Sequence, residues 1–510
     1  MIKKLLILSI TTLCLNAEYF YSYNKKIPLT KLADTAPINL DYEFKSPISY
    51  YKNSAGEKIG IDNKLIVSFK DLSIKGYVEK EYGLEFLRKI TDDMFVYKIE
   101  DHDRVLETAN EINSIKGVEF SHPDFLIGKR SRSLQDVQTD DPMFWDSWHL
   151  DRINIADAWK YTKGEGVIIG VYDEGIDLEH EDLWKNIIGF GNYADGLKQL
   201  TMINSYSQLN NQDINAPRSI SDKWHGTACA GLIAAMGDNN MGGVGIAPKS
   251  KLIVARYSSS NISDDSKALI DMANNGAAII TNSWGTNNML PVFEKTLKLL
   301  SEEGRDGKGV LIFFAAGNDG CNMDKYYSLI DTPVGSMISC SENPSDIPIN
   351  DESESKYVIS IASITGDNSI APYSNYGSAI DFVTPGGYKA KSIVTTDAMG
   401  ENGFGPYNYT PMSGGFSGTS ASAPMAAAIA SLVLSVNPTL SKEEVVDIFK
   451  ATAKQYGRYE YKYERNDHYK RNDHWGYGKI EAGDAVKLAV NYGKIKISNF
   501  AKTIYSDLHR

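Results

Sequence analysis

An apolar stretch without charge lies late in the chain. No charged residue occurs between Gly414 and Asn437, and Ala, Ile, Leu and Val dominate from Met425 to Val436. A helix with this composition is apolar on every side and must be buried. The run is shorter than the ~20 residues that a membrane span needs, so we predict a core helix. It follows a tight glycine turn, with Pro424 in its first turn and the Ser420 hydroxyl at its positive, N–H-rich end.

Short apolar runs alternate with helical segments from Trp148 onward. Each run has the composition of a parallel strand that is buried on both faces. The runs lie at residues 166–172, 252–255, 277–280, 310–314 and 358–361. This alternation is typical of a doubly wound α/β sheet, whose site lies at the C-terminal ends of its strands. The Tyr-, Arg- and Lys-rich stretch at 458–473 is predicted to be a surface loop.

A different pattern occupies the chain before residue 130. We predict strands at 65–69, 94–99 and 118–120, and helices at 78–86 and 104–115. This β-α-β-α-β order indicates a small α+β unit. Residues 18 to about 60 are Tyr-rich and show no pattern. The basic linker at 128–133 is either a proteolytic target or a solvated charge cluster.

The N-terminal sequence has the features of a secretory signal peptide. Two lysines precede the apolar run Leu5–Leu15, and the small residue Ala17 stands at its exit. No later segment is predicted to span a membrane, so we expect the mature protein to be secreted or periplasmic. The net charge of −12 over 510 residues gives no electrostatic support to nucleic-acid binding. Of the four cysteines, Cys321 and Cys340 bracket one loop and can pair if the compartment is oxidising.

Three polar residues stand at strand ends or helix starts. Asp173 follows the first apolar run, His225 opens a segment of small residues, and Ser420 opens the buried helix. Nucleophilic catalysis needs a hydroxyl, an imidazole that takes its proton and a carboxylate that holds the imidazole's tautomer. Singly, Asp173 can be a helix N-cap and His225 a satisfied buried histidine. The order Asp, His, Ser is one of the known orders of such triads, so together they predict nucleophilic catalysis.

Five motifs in order resemble the subtilisin-kexin family of serine proteases, over roughly residues 140–490. They are Asp-Glu-Gly-Ile-Asp at 173–177, His-Gly-Thr at 225–227, Asn-Ser-Trp-Gly at 282–285, Ala-Ala-Gly-Asn at 315–318 and Gly-Thr-Ser-Ala-Ser-Ala-Pro at 418–424. The resemblance implies an α/β fold, a subtilisin-like three-layer αβα arrangement with a mostly parallel sheet. It also implies that a small ferredoxin-like α+β propeptide precedes this domain.

The resemblance assigns roles to the polar residues. Ser420 matches the nucleophile, His225 the general base and Asp173 the carboxylate that orients it. Asn318 alone reads as a turn residue, because Gly-Asn-Asp-Gly is turn chemistry. In the family it matches the oxyanion donor, which acts together with the backbone N–H of Ser420.

The resemblance also implies where substrate binds. Ser283, Trp284 and Gly285 match the edge strand that pairs with extended peptide. The kexin-type proprotein convertases are the most similar group, because they share a second acid after the catalytic Asp, here Glu174. Asp222 matches an acid that lines their pocket for the residue before the cut-site residue. We therefore expect Glu174 and Asp222 to hold a basic side chain there.

The chain departs from the convertases at the main specificity pocket. After the Trp-Gly pair the convertases carry acids that serve the main specificity pocket, whereas this chain has Thr286-Asn287-Asn288. A basic residue at the cut site itself is therefore less well supported than one before it.

Cys229, four residues after the His as in the convertases, is either a small buried residue or a catalytic thiol. We favour the buried residue.

Calcium is the cofactor that the resemblance implies. Residues 236–245 match the family's calcium loop without a gap. The matching ligands are the carboxylates of Asp141 and Asp182, the side chain of Asn239 and the carbonyls of Met236, Met241 and Gly243. Six or more oxygens that include two carboxylates suit Ca²⁺. The alternative is an unliganded Asn-Gly turn.

The predicted organisation is a signal peptide at 1–17, a propeptide at 18–132 with its compact part at about 61–127, a catalytic domain at 133–493 and a short tail at 494–510. We expect a serine endopeptidase made as a self-processing zymogen. Its partners are protein or peptide substrates and its own propeptide, which acts as inhibitor and chaperone. We expect no nucleic-acid partner and no transmembrane segment in the mature form. The alternatives are a catalytically idle binding protein of the same fold and an esterase that uses the same triad.

Overall fold

The computed structural model describes residues 18–22, 25–31, 49–53, 58–127, 134, 137–194, 199–203, 224–257, 261–286, 288–332, 335–400, 403, 408–457, 459–463 and 467–492. These residues form two units, one within residues 18–127 and the other within residues 134–492. The predicted signal peptide, basic linker and C-terminal tail lie outside the described residues.

The first unit is built on an antiparallel sheet. Its strands are β1 (Glu18–Ser22), β2 (Lys25–Lys31), β3 (Ser49–Asn53), β4 (Lys58–Phe69), β5 (Glu85–Lys89), β6 (Met94–Lys98) and β7 (Val118–Ile127), and its helices are α1 (Lys75–Glu81) and α2 (Val105–Asn113). Strands β4 to β7 pair in the order β7-β4-β6-β5. With the two helices they follow the β-α-β-β-α-β order of a ferredoxin-like unit. Leu65, Val67 and Tyr97 from the sheet and Ile112 from α2 belong to its core.

The structure corrects two predictions for this unit. The helix predicted at 78–86 is wrong in its second half, because α1 ends at Glu81 and Phe86 lies in strand β5. Every residue of β5 is exposed, so the strand lacks the alternation of buried and exposed positions that would reveal it. The segment without a predicted pattern contains β1, β2 and β3, which extend the sheet beyond β4.

The second unit contains an eight-stranded sheet. Its strands are β8 (Ile168–Asp173), β9 (Ile187–Asn192), β10 (Leu200–Met202), β11 (Lys251–Arg256), β12 (Ile279–Asn282), β13 (Leu311–Ala315), β17 (Ile359–Ile364) and β18 (Phe382–Pro385), and the smaller sheets use β14 (Tyr326–Thr332), β15 (Gly335–Ser341), β16 (Ile347–Pro348), β19 (Lys462–Tyr463) and β20 (Lys470–Arg471). The order of the large sheet is β10-β9-β11-β8-β12-β13-β17-β18. All neighbours run parallel except β9 and β10.

Helices cover both faces of this sheet. They are α3 (Trp148–Arg152), α4 (Ile155–Ala158), α5 (Trp224–Ala234), α6 (Ile262–Asn274), α7 (Pro291–Gly307), α8 (Thr419–Val436), α9 (Lys442–Thr452) and α10 (Ala482–Asn491). Residues of α5, α8, α9 and α10 belong to the larger core, whereas α6 and α7 belong to a second core. The result is the predicted three-layer αβα fold with a mostly parallel sheet. Each of the five apolar runs overlaps an observed strand: β8, β11, β12, β13 and β17.

The stretch predicted as a surface loop at 458–473 is partly anchored in the unit. It contains the short hairpin of β19 and β20. Arg471 at its end is buried and donates to the carbonyl oxygens of Gly377 and Ile380 at 3.1 and 3.2 Å. The prediction is therefore wrong for the end of the stretch, because a buried guanidinium there satisfies loop carbonyls that the sequence pattern does not reveal.

Helix α8 is the central helix of the second unit. Among the described residues it is the one helix long and apolar enough to cross a membrane, but 89% of it is buried inside the protein, as in a core helix. The predicted place of Pro424 is wrong, because Pro424 is the sixth residue of α8 and lies in the second turn. A proline there has no N–H for the carbonyl four residues earlier, which belongs to Ser420. That carbonyl is therefore open to donors from outside the helix.

Candidate active site

Asp173 and His225 meet at the carboxyl end of the central strands. Asp173 is the last residue of β8 and is only 2% exposed, whereas His225 is the second residue of α5. His225 Nδ1 lies 2.7 Å from Asp173 Oδ1, although the two residues are 52 positions apart. The carboxylate accepts the imidazole N–H, so Nδ1 carries the proton and Nε2 lies on the other side of the ring.

The approach of these two segments depends on a glycine. A Cβ at Gly226 would lie 2.3 Å from Gly175 O and 2.9 Å from Asp173 Cβ. Any side chain at this position would push α5 away from the strand end. The 2.7 Å distance between His225 Nδ1 and Asp173 Oδ1 also affects the protonation of the imidazole. Burial disfavours the imidazolium, but the charge and hydrogen bond of Asp173, together with the neighbouring Cys229, outweigh burial and raise the pKa of His225 well above 6.5.

Cys229 lies one turn further along α5, next to the same pair. Its Sγ, a carboxylate oxygen of Asp173 and a ring nitrogen of His225 all lie within 4.8 Å of one another. Burial raises the pKa of the Cys229 thiol to about 11, so the thiol stays protonated at neutral pH. A buried, protonated thiol packs as a small apolar side chain.

Ser420 is the second residue of α8 and is 8% exposed. Its Oγ lies 3.4 Å from the carbonyl oxygen of Ser283, directly after β12. Ser283 Oγ donates in return to Ser420 O at 2.9 Å, and Cys229 Sγ lies 3.5 Å from the same carbonyl. Because Pro424 has no N–H to donate, the Ser420 carbonyl can accept from these two donors outside the helix. They connect the start of α8 with the end of β12 and with α5, which also carries His225.

Asn318 lies in an exposed turn after β13. Its Oδ1 accepts the Thr419 N–H at 2.8 Å and the Thr419 hydroxyl at 3.0 Å, across 101 positions of sequence. Because Thr419 holds the oxygen end of the carboxamide, the Nδ2 end lies on the other side. A hydrogen-bond donor is thus fixed beside the start of α8, where the first N–H groups have no partner within the helix. The sequence pattern does not reveal this role of Thr419, although the residue directly precedes Ser420.

The predicted edge strand at Ser283–Gly285 is not a regular strand. Within the described residues, the segment continues beyond β12 without a strand partner, and the predicted pairing is with substrate. Trp284 Nε1 donates to Tyr172 O at 3.1 Å and anchors the segment in the second core. Thr286, the next residue, donates its N–H to Glu352 at 2.6 Å. Glu352 is buried, and no local sequence pattern relates it to Thr286, a residue 66 positions away.

Glu174 directly follows Asp173 and has a cation next to it. Its carbonyl accepts a hydrogen bond from Arg256 Nε at 3.1 Å, and its carboxylate lies 3.5 Å from the Tyr257 hydroxyl. Arg256 thus places a positive charge beside the residue that is predicted to receive a basic substrate side chain. Asp222, the second predicted acid of the pocket, lies outside the described residues.

Asp141 and Asp182 come together at the loop after α5. Asp141 accepts the N–H groups of Asp238 and Asn239 at 3.0 and 3.1 Å, and Asn239 Nδ2 lies 2.7 Å from Asp182 Oδ1. Asp182 is fully buried, and its Oδ2 has no hydrogen-bond partner within the described part of the chain. Burial, and then the nearby charge of Asp141, raise the pKa of Asp182 to about 8.

This donor set fits a hard divalent cation. The buried Asp182 carboxylate has an unsatisfied oxygen and a second carboxylate nearby, so it needs a positive partner to stay ionised at neutral pH. Oxygen donors of this kind are the ligands that Ca²⁺ prefers. The other predicted donors are the Asn239 side chain and three carbonyls of the same loop, those of Met236, Met241 and Gly243.

A disulfide links the Asn318 turn to the three-stranded sheet. Cys321 bonds to Cys340, which lies in β15. Strand β15 pairs with β14, and β14 also pairs with β16. The bond therefore attaches the turn that carries Asn318 to a separate sheet of the same unit.

The chain is similar in sequence to several proteases. A model described as the subtilase family matches residues 164–478, more than half of the chain. The calcium-dependent protease of Nostoc sp. is 27% identical, over 88% of this chain and 65% of its own length. Kexin of Saccharomyces cerevisiae is 28% identical, over 72% of this chain and 42% of its own length. The chain thus spans less than two thirds of the length of these relatives.

A solved structure supports the fold. The crystal structure of a serine protease of Aeromonas sobria matches with a TM-score of 0.56 at 21% identity, and the match covers 70% of this chain and 68% of that one. At this identity the similarity bears on the fold alone. Because the family model covers more than half of the chain, and the three-layer fold agrees with it, this chain belongs to the subtilase family.

Proposed function

We propose that this chain is a serine endopeptidase with Ser420 as nucleophile, His225 as general base, Asp173 as orienting carboxylate and Asn318 as oxyanion donor. The observation that carries the proposal is the hydrogen bond from His225 Nδ1 to Asp173 Oδ1. A carboxylate in this position holds the imidazole in the tautomer whose Nε2 accepts a proton. The names of the relatives, calcium-dependent protease and kexin, support the same reaction.

The reaction proceeds in two halves. Ser420 Oγ bonds to the carbonyl carbon of the substrate and passes its proton to His225 Nε2. The oxyanion that forms receives hydrogen bonds from Asn318 Nδ2 and from the Ser420 backbone N–H. The C–N bond then breaks as His225 returns the proton to the leaving amine. Water repeats the steps on the acyl-serine, so that acid is released and the hydroxyl is restored.

The substrate we propose is extended peptide or protein. Backbone hydrogen bonds to Ser283–Gly285 would align it as an added strand beside Ser420. Calcium would be held by Asp141, Asp182 and the loop after α5, and would join distant segments without entering the chemistry. The name of the relative from Nostoc sp., calcium-dependent protease, supports this cofactor.

We also propose that the enzyme is made as a secreted or periplasmic zymogen. The ferredoxin-like order of the first unit supports its role as a propeptide that assists folding and inhibits the enzyme. Cleavage within the basic linker at 128–133 would release it. The disulfide between Cys321 and Cys340 supports an oxidising compartment.

A serine-directed fluorophosphonate tests the reaction. We expect it to label the wild-type protein and not Ser420→Ala, which should also remain an unprocessed precursor without peptidase activity, since loss of such a nucleophile lowers kcat by ~10⁶. Ser435→Ala, at the far end of the same helix, is the control and should be labelled normally. Absence of labelling would indicate an idle binding protein, and hydrolysis of esters without peptides would indicate an esterase.

A further inference from the structure

The turn that carries Asn318 folds around one asparagine from a distant loop. Asn375 lies between β17 and β18 and is 7% exposed. Its Oδ1 accepts two backbone N–H groups of the turn, from Asp319 at 3.1 Å and from Cys321 at 2.9 Å. Its own backbone N–H donates to Gly317 O at 3.1 Å. Asn375 therefore holds the chain on both sides of Asn318.

The other end of the Asn375 carboxamide closes the same turn. Its Nδ2 lies 3.5 Å from Asp319 Oδ2, and a Cβ at Gly317 would lie 2.3 Å from Nδ2. Asn318 itself is held from the opposite direction, where Thr419 binds its Oδ1. Thr419 thus sets the orientation of the Asn318 carboxamide, and Asn375 sets the position of the backbone that carries it.

We propose that Asn375 is a positioning residue, which keeps the Asn318 amide within reach of the oxyanion. The proposal rests on the role of Asn318 proposed above and extends it to a residue that touches neither substrate nor reacting atoms. An oxyanion donor acts only at hydrogen-bond distance from the place where charge develops. A misplacement of about 1 Å can lower a rate ~10²-fold. Without Asn375 Oδ1, two N–H groups of the turn lose their acceptor, and the turn moves.

The first test is the variant Asn375→Ala. We expect kcat for a peptide substrate to fall about 10- to 100-fold. KM should change less than about threefold, because the substrate backbone docks at Ser283–Gly285 rather than at the turn. The matched control is Asn322→Ala, since Asn322 lies near the same turn but accepts the Asp324 N–H instead. The control should keep the wild-type kcat, and the melting temperature of each variant is measured beside it.

A double variant shows whether Asn375 acts through Asn318. Asn318→Ala removes the amide that is to be positioned, so Asn375→Ala should lower kcat no further in that background. Wild-type kcat in Asn375→Ala overturns the proposal. It is also overturned if the two losses multiply in the double variant, because Asn375 would then act independently of Asn318.

An exchange of partners keeps the test valid if Asn375→Ala does not fold. Asn375→Asp retains the two acceptor contacts but places a second carboxylate against Asp319. Adding Asp319→Asn restores the donor–acceptor pair with its partners reversed. We expect this second substitution to recover at least tenfold in kcat over Asn375→Asp alone, and equal kcat in the two proteins overturns the proposal. Failure of the underlying function is seen separately, as a lack of fluorophosphonate labelling or as full kcat in Asn318→Ala.

Discussion

Removal of calcium should change how the stability of this protein depends on pH, through Asp182. This carboxyl is fully buried, and burial together with the Asp141 charge raises its pKa from 3.8 to about 8. A carboxyl with a raised pKa binds its proton more tightly in the folded protein than in the unfolded chain. In the calcium-free protein, the stability that it contributes is therefore lost as the pH rises from about 4 towards 8.

The size of the effect follows from proton linkage. Each pH unit between the two pKa values lowers the free energy of unfolding by ~1.4 kcal/mol. Between pH 5 and pH 7 the loss is about 3 kcal/mol, or ~5 °C in melting temperature for a domain of this size. A bound calcium ion keeps the carboxylate ionised and paired, and adds about 2.7 kcal/mol at a hundredfold excess over Kd. Stabilisation by calcium should therefore grow with pH.

The assay is thermal unfolding of Ser420→Ala, in which autolysis cannot distort the transition. Melting temperatures are compared in chelator and in calcium, at pH 5 and at pH 7. Adding Asp182→Asn removes the titrating group and should abolish most of the calcium response. Adding Asp351→Asn instead is the matched control, because burial raises the pKa of Asp351 to about 7 but this acid lies beside Gly285, away from the calcium loop.

Two outcomes would refute the reasoning. One is a melting temperature at pH 7 that chelator does not change, which would mean that the site binds no stabilising ion. The other is an equal calcium response at pH 5 and at pH 7. It would mean that Asp182 is not the group whose ionisation the ion supports.

Three further predictions concern the disulfide, the base and the substrate. Cys340→Ser opens a bond that spans 19 positions and should lower the free energy of unfolding by about 3 kcal/mol in denaturant titrations, with no further effect of reductant on the variant. The acidic limb of the kcat/KM profile should lie above pH 6.5, because the pKa of His225 is raised and only neutral imidazole accepts the proton; Asp173→Asn should move the limb to lower pH. Peptides with Lys-Arg before the scissile bond should be cleaved up to ~tenfold faster than Ala-Arg peptides, since Arg256 already borders Glu174, and Glu174→Gln should reduce this ratio. Equal rates in the native enzyme would contradict the acidic pocket.

The central strands could be predicted because each contains a short, mostly apolar run. Strands β8, β11, β12, β13 and β17 are almost entirely buried, as expected for parallel strands covered on both faces. Strand β9 is interrupted by Gly189 and Gly191, and β18 ends in Pro385, so both lack the expected composition. Pro424 lies in the second turn rather than in the predicted first turn, because the helix already begins at Thr419.

The motifs identified candidate residues, but not the contacts that orient them. Thr286 binds Glu352 across 66 positions, and Asp319 binds Asn375 across 56. These are ordinary polar residues outside the named helices and strands, and nothing local relates one partner to the other. Their proximity results from the sheet order, which brings the ends of β12, β13 and β17 side by side.

The order of the large sheet also determines when a site can exist during synthesis. Strand β8 lies between β11 and β12, so the centre of the sheet joins segments that are far apart in the chain. Parallel pairing of this kind has a high contact order and forms slowly. Helix α8 follows all eight strands of the large sheet in sequence. During synthesis the whole sheet is therefore made before Ser420 is added to the chain. If the chain has the proposed function, peptidase activity arises only late in synthesis. Incompletely synthesised chains therefore cannot cleave one another or the proteins that synthesise them.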